Sequence, residues 1–235
     1  MKILIINGSP RANGATGRIL SRIKACLIEM DANVKIEYID LGKINMMFCT
    51  GCHTCYKTGQ CYIKEDGIEN LSQMISECDG VIFGSPTYAS NVSAQFKTLI
   101  DRGHFVFEQL LRDKACFSVV TYKNYGGGKA KKVINDLIRF SGGAVSCQYL
   151  VKTDCDNKAI NKNQSKQIEN LCRKFLLKTK QKNPLSLIAK IFIWAVFNVG
   201  IKPYVFKNKL QYKGVINKWI QQGIISKGGS VYEQL

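Results

Sequence analysis

Four cysteines stand close together in the segment FCTGCHTCYKTGQCYIKED: Cys49, Cys52, Cys55 and Cys61, a C-x2-C-x2-C-x5-C run. Three thiols at such short intervals can wrap one compact centre, and the fourth arrives from a short loop. The chemistry open to this set is a [4Fe–4S] cluster, a zinc ion or redox-active thiols. Zinc sites more often use two separated C-x2-C knuckles, which ranks zinc below the other two. His53 lies inside the run and is expected to be exposed rather than ligating. The remaining cysteines, Cys26, Cys78, Cys116, Cys147, Cys155 and Cys172, are scattered along candidate helices, strands and loops and read as small core fillers.

A second candidate site follows the apolar run KILIIN at 2–7. The next residues, NGSPRANGATGR, place Asn7, Ser9, Arg11, Asn13, Gly14 and Thr16 before a helix-forming stretch. A loop delivered to a helix N-terminus offers free N–H groups and a favourable dipole to an anion. Ser9 and Thr16 add hydroxyl donors, and Arg11 adds a charged fork suited to phosphate. The spacing matches neither G-x-x-x-x-G-K-[ST] nor G-x-G-x-x-G, which argues against a nucleoside triphosphate or a Rossmann-bound dinucleotide here.

Two further loops carry chemistry. GSPTYASNVSAQFKTLIDR (84–102) begins where a third apolar run ends, and TYKNYGGGKA (121–130) has three consecutive glycines, Gly126 to Gly128. Consecutive glycines let the backbone approach a ligand closely and expose its N–H groups.

With these residues in view, the chain resembles the NADPH-dependent FMN reductase branch of the flavodoxin-like superfamily. The cysteine run is similar to the compact cysteine motif of iron–sulfur flavoproteins, which share that fold, and to the ferredoxin run without its proline and with a longer last gap. The resemblance covers roughly residues 1–150. It implies that Ser9, Arg11, Asn13, Gly14, Ala15 and Thr16 cradle the FMN phosphate. It implies that Pro86, Thr87, Tyr88 and Ala89 line the isoalloxazine, with Ser90 and Asn91 nearby. The third loop then meets the pyrimidine side through Thr121, Tyr122, Tyr125, Gly126 and Gly127. NAD(P)H is the implied electron donor, and no catalytic side chain is named, because hydride transfer requires none. The metal ligands would be Cys49, Cys52, Cys55 and Cys61. The rival reading is a non-catalytic flavin electron carrier or a redox-sensing module.

These loops need a scaffold that brings them together. Strand patterns at 2–7, 35–41, 80–86, 115–122 and 144–151 alternate with helix patterns at 14–30, 66–78, 92–112, 129–141 and 161–181. Five βα units with short connections predict an α/β, doubly wound parallel sheet with helices on both faces. The resemblance specifies a flavodoxin-like order, 2-1-3-4-5. Ligands in such sheets sit at the carboxyl ends of the strands.

Of 235 residues, 34 are Lys or Arg and 17 are Asp or Glu, a net charge of +17. The excess is uneven: residues 1–156 carry +4 and residues 157–235 carry +13. Nothing matches a nucleic-acid-binding module. No secretory signal opens the sequence, and ten cysteines without one point to a reducing, cytoplasmic setting.

The organisation expected is a flavin domain over 1–181 and a basic helical extension over 182–235. Within the extension, LSLIAKIFIWAVFNVGI (185–201) is apolar nearly all round, with Ser186, Lys190, Trp194 and Asn198 as a thin polar stripe. Pro184 and Pro203 bracket it, and Lys178, Lys180, Lys182, Lys202, Lys207 and Lys209 flank it. So apolar a helix must bury its surface, and a homo-oligomer contact is expected ahead of a membrane surface. The other partner is a small-molecule or protein electron acceptor.

Overall fold

The computed structural model describes residues 1–153, 160–181 and 184–226. Cys155 and Lys182 lie outside the described residues. Apolar runs without alternation must be covered on both faces, and three of them form the middle of a parallel sheet. These are β1 (Lys2–Asn7), β3 (Gly80–Pro86) and β4 (Ala115–Tyr122), buried along nearly their whole length. The partly exposed edges are β2 (Lys35–Asp40) and β5 (Ala144–Lys152). The strand order is β2-β1-β3-β4-β5, as the resemblance implied.

On one face α1 (Ala15–Met30) and α7 (Lys162–Lys180) bury Leu20, Ile23, Leu27, Cys172 and Phe175 against Ile5, Ile82 and Phe117. The other face is closed by α3 (Ile68–Glu77), α4 (Ala94–Arg102) and α6 (Gly127–Phe140), through Ile75, Phe96, Leu99, Ile134 and Ile138. The parallel register pairs Asn7 with Asp40 and Gly84, and Pro86 with Thr121. The three candidate loops therefore leave the sheet side by side.

The pattern over 92–112 predicts one helix, and the structure breaks it in two. After α4 the chain turns at Gly103 and His104 into the short α5 (Phe105–Glu108). A Cβ at Gly103 would lie 2.3 Å from the Phe105 ring and 2.7 Å from Leu99 O. His104 adopts a left-handed φ of 54°. Apolar periodicity runs on through the break because Phe105 packs into the same core as Phe96 and Leu99.

Between β2 and α3 the cysteine segment makes an excursion that contains α2 (Thr54–Thr58). A single guanidinium at the end of α4 holds it. Arg102 is 1% exposed and grips Asp66 with both nitrogens, at 2.6 and 3.1 Å. The same two nitrogens also donate to Met47 O at 2.7 Å and Ile63 O at 3.2 Å, so both ends of the segment are fixed at one point, while Nε stays buried without a partner among the described residues. Burial pushes the Asp66 pKa up, but Arg102 and the N–H groups of Met47 and Ile68 outweigh it and hold the carboxyl below the usual range.

The extension builds a third core on this segment. The apolar helix starts after Pro184 as α8 (Leu187–Ala195), with Ser186 accepting from Ala189 N–H at 3.3 Å. Pro203 does not end it. A π-helical turn over Val196–Ile201 leads directly into α9 (Lys202–Lys207), and Pro203 occupies the first turn of α9. In the wide turn the Lys202 N–H reaches back to Phe197 O, and a residue without an N–H is tolerated where a new helix begins. The chain then returns as α10 (Lys213–Gln221).

Phe197, Val205, Tyr212, Val215 and Trp219 pack with Tyr56 of α2 and Phe107 of α5. Tyr56 stacks on Tyr212 with centroids 5.1 Å apart. Trp219 Nε1 donates to Phe107 O at 2.7 Å, and Lys218 Nζ sits 2.8 Å from both Glu108 oxygens. At the tightest point α10 crosses α2 glycine on glycine: a Cβ on Gly214 would lie 2.0 Å from Gly59 N.

Removing one partner of a buried ion pair strands the other charge. We therefore expect Asp66→Asn to lower stability to denaturant by about 3–5 kcal/mol at neutral pH. Because the folded-state pKa of Asp66 is lowered, the wild-type advantage is complete above the ordinary aspartate pKa and fades as pH falls through the lowered value. Denaturant titrations over pH 2–7 should show the two proteins converging at the acid end, and parallel curves would contradict this account. Gly214→Ala should detach the extension: limited proteolysis would cut within 184–226 in the variant and spare the wild type, while the sheet domain keeps its melting transition.

Candidate functional site

The first loop is shaped by its own backbone. Asn7 ends β1 and its Nδ2 donates to Asp40 Oδ1 at 2.8 Å, while its Oδ1 accepts from Ser9 N–H at 3.1 Å. Arg11 N–H donates to Ser9 Oγ at 3.2 Å, and Gly14 N–H to Arg11 O at 3.0 Å. The loop lies so close on the first turn of α1 that a Cβ at Gly17 would fall 1.7 Å from Ala12 O. Gly14 is the N-cap and brings no side-chain acceptor, which leaves the first-turn N–H groups of α1 for an external anion.

The second loop is tied to the first. Gly8 N–H donates to Gly84 O at 2.7 Å, and Ser93 Oγ donates to Gly8 O while capping α4 through Phe96 N–H at 3.2 Å. Ser93 N–H in turn donates to Ser85 Oγ at 3.0 Å. Residues 88–91 close a tight turn, with Tyr88 and Asn91 exchanging two 2.9 Å backbone bonds across Ala89 and Ser90, both in the left-handed region. The third loop locks on through Thr87 N–H to Thr121 O at 2.8 Å. At Gly126 (φ 82°) a Cβ would lie 2.6 Å from Ser90 Cα, so only glycine brings these loops together.

An open cleft lies among the three loops. Ser9, Arg11, Gly14, Ala15, Thr16, Pro86, Thr87, Tyr88, Thr121 and Tyr122 line it, as expected from sequence. Asn13, Ala89, Ser90, Tyr125, Gly126 and Gly127 do not. Asn13 is exposed and its carbonyl accepts from Arg18 at 3.0 Å, Tyr125 is 76% exposed, and Gly127 packs on the Tyr122 ring. Ser90 and Gly126 join loop to loop.

Three lining residues were not anticipated: Arg18, Lys123 and Thr153. Arg18 stands one turn into α1 behind Gly14, a position that helical spacing could have revealed. Among the described residues the lining holds Arg11, Arg18 and Lys123 and no carboxylate. Thr16 Oγ1 and Thr121 Oγ1 are 2.8 Å apart at the floor, and Thr87 Oγ1 is buried with no partner among the described residues. An uncapped helix end, a cationic rim and an orphaned buried hydroxyl beside a proline and a tyrosine fit a flat cofactor ending in a phosphate.

The cysteine segment has a different character. Cys49 and Cys52 are exposed, Cys55 is half-buried and Cys61 is buried. Among the described residues no group of three or more His, Cys, Asp or Glu side chains is placed to hold a metal ion, so the four sulfurs are not gathered. Arg102 stands beside Cys61, and His104 beside Cys55. Burial lowers the His104 pKa, but hydrogen bonds to Cys55 and to Glu108 (3.2 Å), with their charges, raise it to about 10. Hydrogen bonding by Thr54 holds the Cys52 thiol below its usual value, with Sγ 3.3 Å from Thr54 Oγ1. His53 is exposed, as expected.

Comparison with known proteins agrees with this geometry. Residues 1–153 match the model of the NADPH-dependent FMN reductase family. An iron-sulfur flavoprotein of Clostridioides difficile is 39% identical over 96% of this chain and 100% of its own length. One from Archaeoglobus fulgidus is 36% identical over 64% of this chain and 68% of its own. Among solved structures, the apo form of an NADH:FMN oxidoreductase aligns with TM-score 0.56 at 17% identity, covering 75% of this chain and 88% of the other. An azoreductase from Bacillus anthracis aligns at 0.54 and 16%, covering 82% and 99%, and a flavodoxin from the Archaea at 0.52 and 15%, covering 77% and 100%. The structural likenesses establish the fold, and the sequence matches establish the lineage: the chain belongs to the NADPH-dependent FMN reductase family of flavodoxin-like oxidoreductases, alongside iron-sulfur flavoproteins.

Proposed function

We propose that the protein is an FMN-dependent NAD(P)H oxidoreductase that hands electrons to a small-molecule or protein acceptor. The observation that carries this reading is the cleft itself, where an uncapped helix N-terminus and the cations Arg11 and Lys123 border a proline–tyrosine wall. FMN bound there supplies two-electron chemistry between a nicotinamide and the acceptor.

The chain's own residues bind and orient. The first-turn N–H groups of α1, the Ser9 and Thr16 hydroxyls and Arg11 hold the phosphate, and Arg18 and Lys123 extend the positive field. Pro86, Thr87 and Tyr88 fix the ring plane, and the Thr87 hydroxyl has an unspent hydrogen bond to offer its polar edge. Tyr88 is 43% exposed, which leaves the mouth of the cleft open to a second substrate. No side chain needs to move a proton for hydride transfer, so the protein's contribution is position and electrostatics.

The same reading gives the cysteine segment a [4Fe–4S] cluster on Cys49, Cys52, Cys55 and Cys61. Its support is the donor set: four thiols on one short segment, bordered by Arg102 and His104. Free cysteines throughout the described residues suit a reducing, cytoplasmic setting.

Cofactor released by heat should chromatograph as FMN, and the holoprotein should oxidise NADH or NADPH with an artificial acceptor. Arg11→Ala should weaken FMN binding by about 1–3 kcal/mol, the worth of a charged hydrogen bond. FAD in the majority, or no flavin after reconstitution, sinks the reading, and flavin binding without turnover would favour a carrier. Anaerobic reconstitution should load about four irons per chain, and Cys52→Ser should lose them while keeping FMN. Stoichiometric zinc, or no metal at all, would remove the cluster.

A further inference from the structure

The apolar helix of the extension is only half used by the fold. Ile193, Phe197 and Val205 face the protein and are buried, while Leu187, Ile188, Ile191, Trp194 and Val199 are between 60% and 81% exposed. Helical spacing sets Leu187, Ile188, Ile191 and Trp194 on one continuous outer face. Soluble monomers rarely leave so large an apolar patch in water. From Leu187 to Lys207 the helix is also long and apolar enough, by length and composition, to cross a membrane, with 22% of its most apolar window buried.

Charge narrows the choice of what covers it. Residues 184–226 contain six lysines and no acidic residue. Lys218 is taken by Glu108, and the other five, Lys190, Lys202, Lys207, Lys209 and Lys213, pair with no carboxylate among the described residues. A second copy docking here would set one lysine-rich surface against another. A bilayer of anionic phospholipid satisfies both features, accepting apolar side chains below its headgroups and cations among its phosphates. A spanning orientation would pull Phe197 and Val205 out of the third core and uncover Ile193. The structure therefore supports an in-plane helix, and we propose that α8 and the turn after it dock the protein on an anionic phospholipid surface.

The protein contains its own reporter. Trp194 is 62% exposed and Trp219 is 0% exposed, so a lipid-induced blue shift in tryptophan emission comes from Trp194. Holoprotein should float with vesicles of phosphatidylglycerol and phosphatidylcholine and show that shift. Its affinity for phosphatidylcholine alone should be at least tenfold lower, and high salt should release it. The double variant Ile188→Glu, Ile191→Glu should lose at least tenfold in vesicle affinity with its flavin content and melting transition unchanged. No binding to anionic vesicles overturns the proposal, and so does equal binding to both compositions. Retention through carbonate washing would indicate a spanning helix, and a Trp194 shift that follows protein concentration without lipid would indicate a second copy; either outcome also overturns it.

Discussion

A buried guanidinium must find its partners inside the protein, and the position of Arg102 follows from that requirement. Its two terminal nitrogens are filled by Asp66 and by the carbonyls of Met47 and Ile63, and only Nε is left without a partner among the described residues. One side chain at the end of α4 thus closes a loop that would otherwise wander between β2 and α3. Everything built on that loop depends on the closure. Without it α2 has no fixed place, Tyr56 and Gly59 present no surface, and the extension has nothing to pack against. The same cation borders Cys61, so the group that fixes the backbone also stands beside one of the four clustered thiols.

The cleft among the three loops is rigid for a related reason. Its loops are short, and each spends its backbone bonds on a neighbour: Gly8 on Gly84, Thr87 on Thr121, Ser93 on Gly8 and Ser85. The hydroxyls and amides left over point where a ligand is needed. A site assembled this way loses little conformational freedom when it fills, which favours affinity without added contacts.

Much of this was legible in the residues. The five strand patterns became the five strands almost to the residue, and the three central ones were clearest, because a strand buried on both faces leaves an unbroken apolar signature. The loops at strand ends held the cleft, since a doubly wound sheet has its crevice there. What escaped notice was tertiary in origin. Lys123 and Thr153 reach the cleft only because β4 and β5 end side by side, with Thr153 N–H donating to Tyr122 O at 2.8 Å. Ser90 and Gly126 carry a ligand-loop composition, yet their contact is with each other. The break at Gly103 was hidden by apolar spacing that stays in phase across it. Pro203 looked like a terminator because a π-helical turn has no signature of its own.

The crossing of α10 over α2 at Gly214 and Gly59 also sets an order in time. Residues 1–181 carry the whole sheet and both its helical layers, and a chain made from its N-terminus can complete them first. Tyr212, Gly214 and Lys218 leave the ribosome afterwards, and until they do the cysteine segment stands uncovered on one side. Cys55, on α2, thus passes through a stage of synthesis in which a metal donor or an oxidant reaches it more freely than in the finished molecule, whereas Cys49 and Cys52 stay exposed throughout. Access to α2 is therefore widest early, before the last helices close over it.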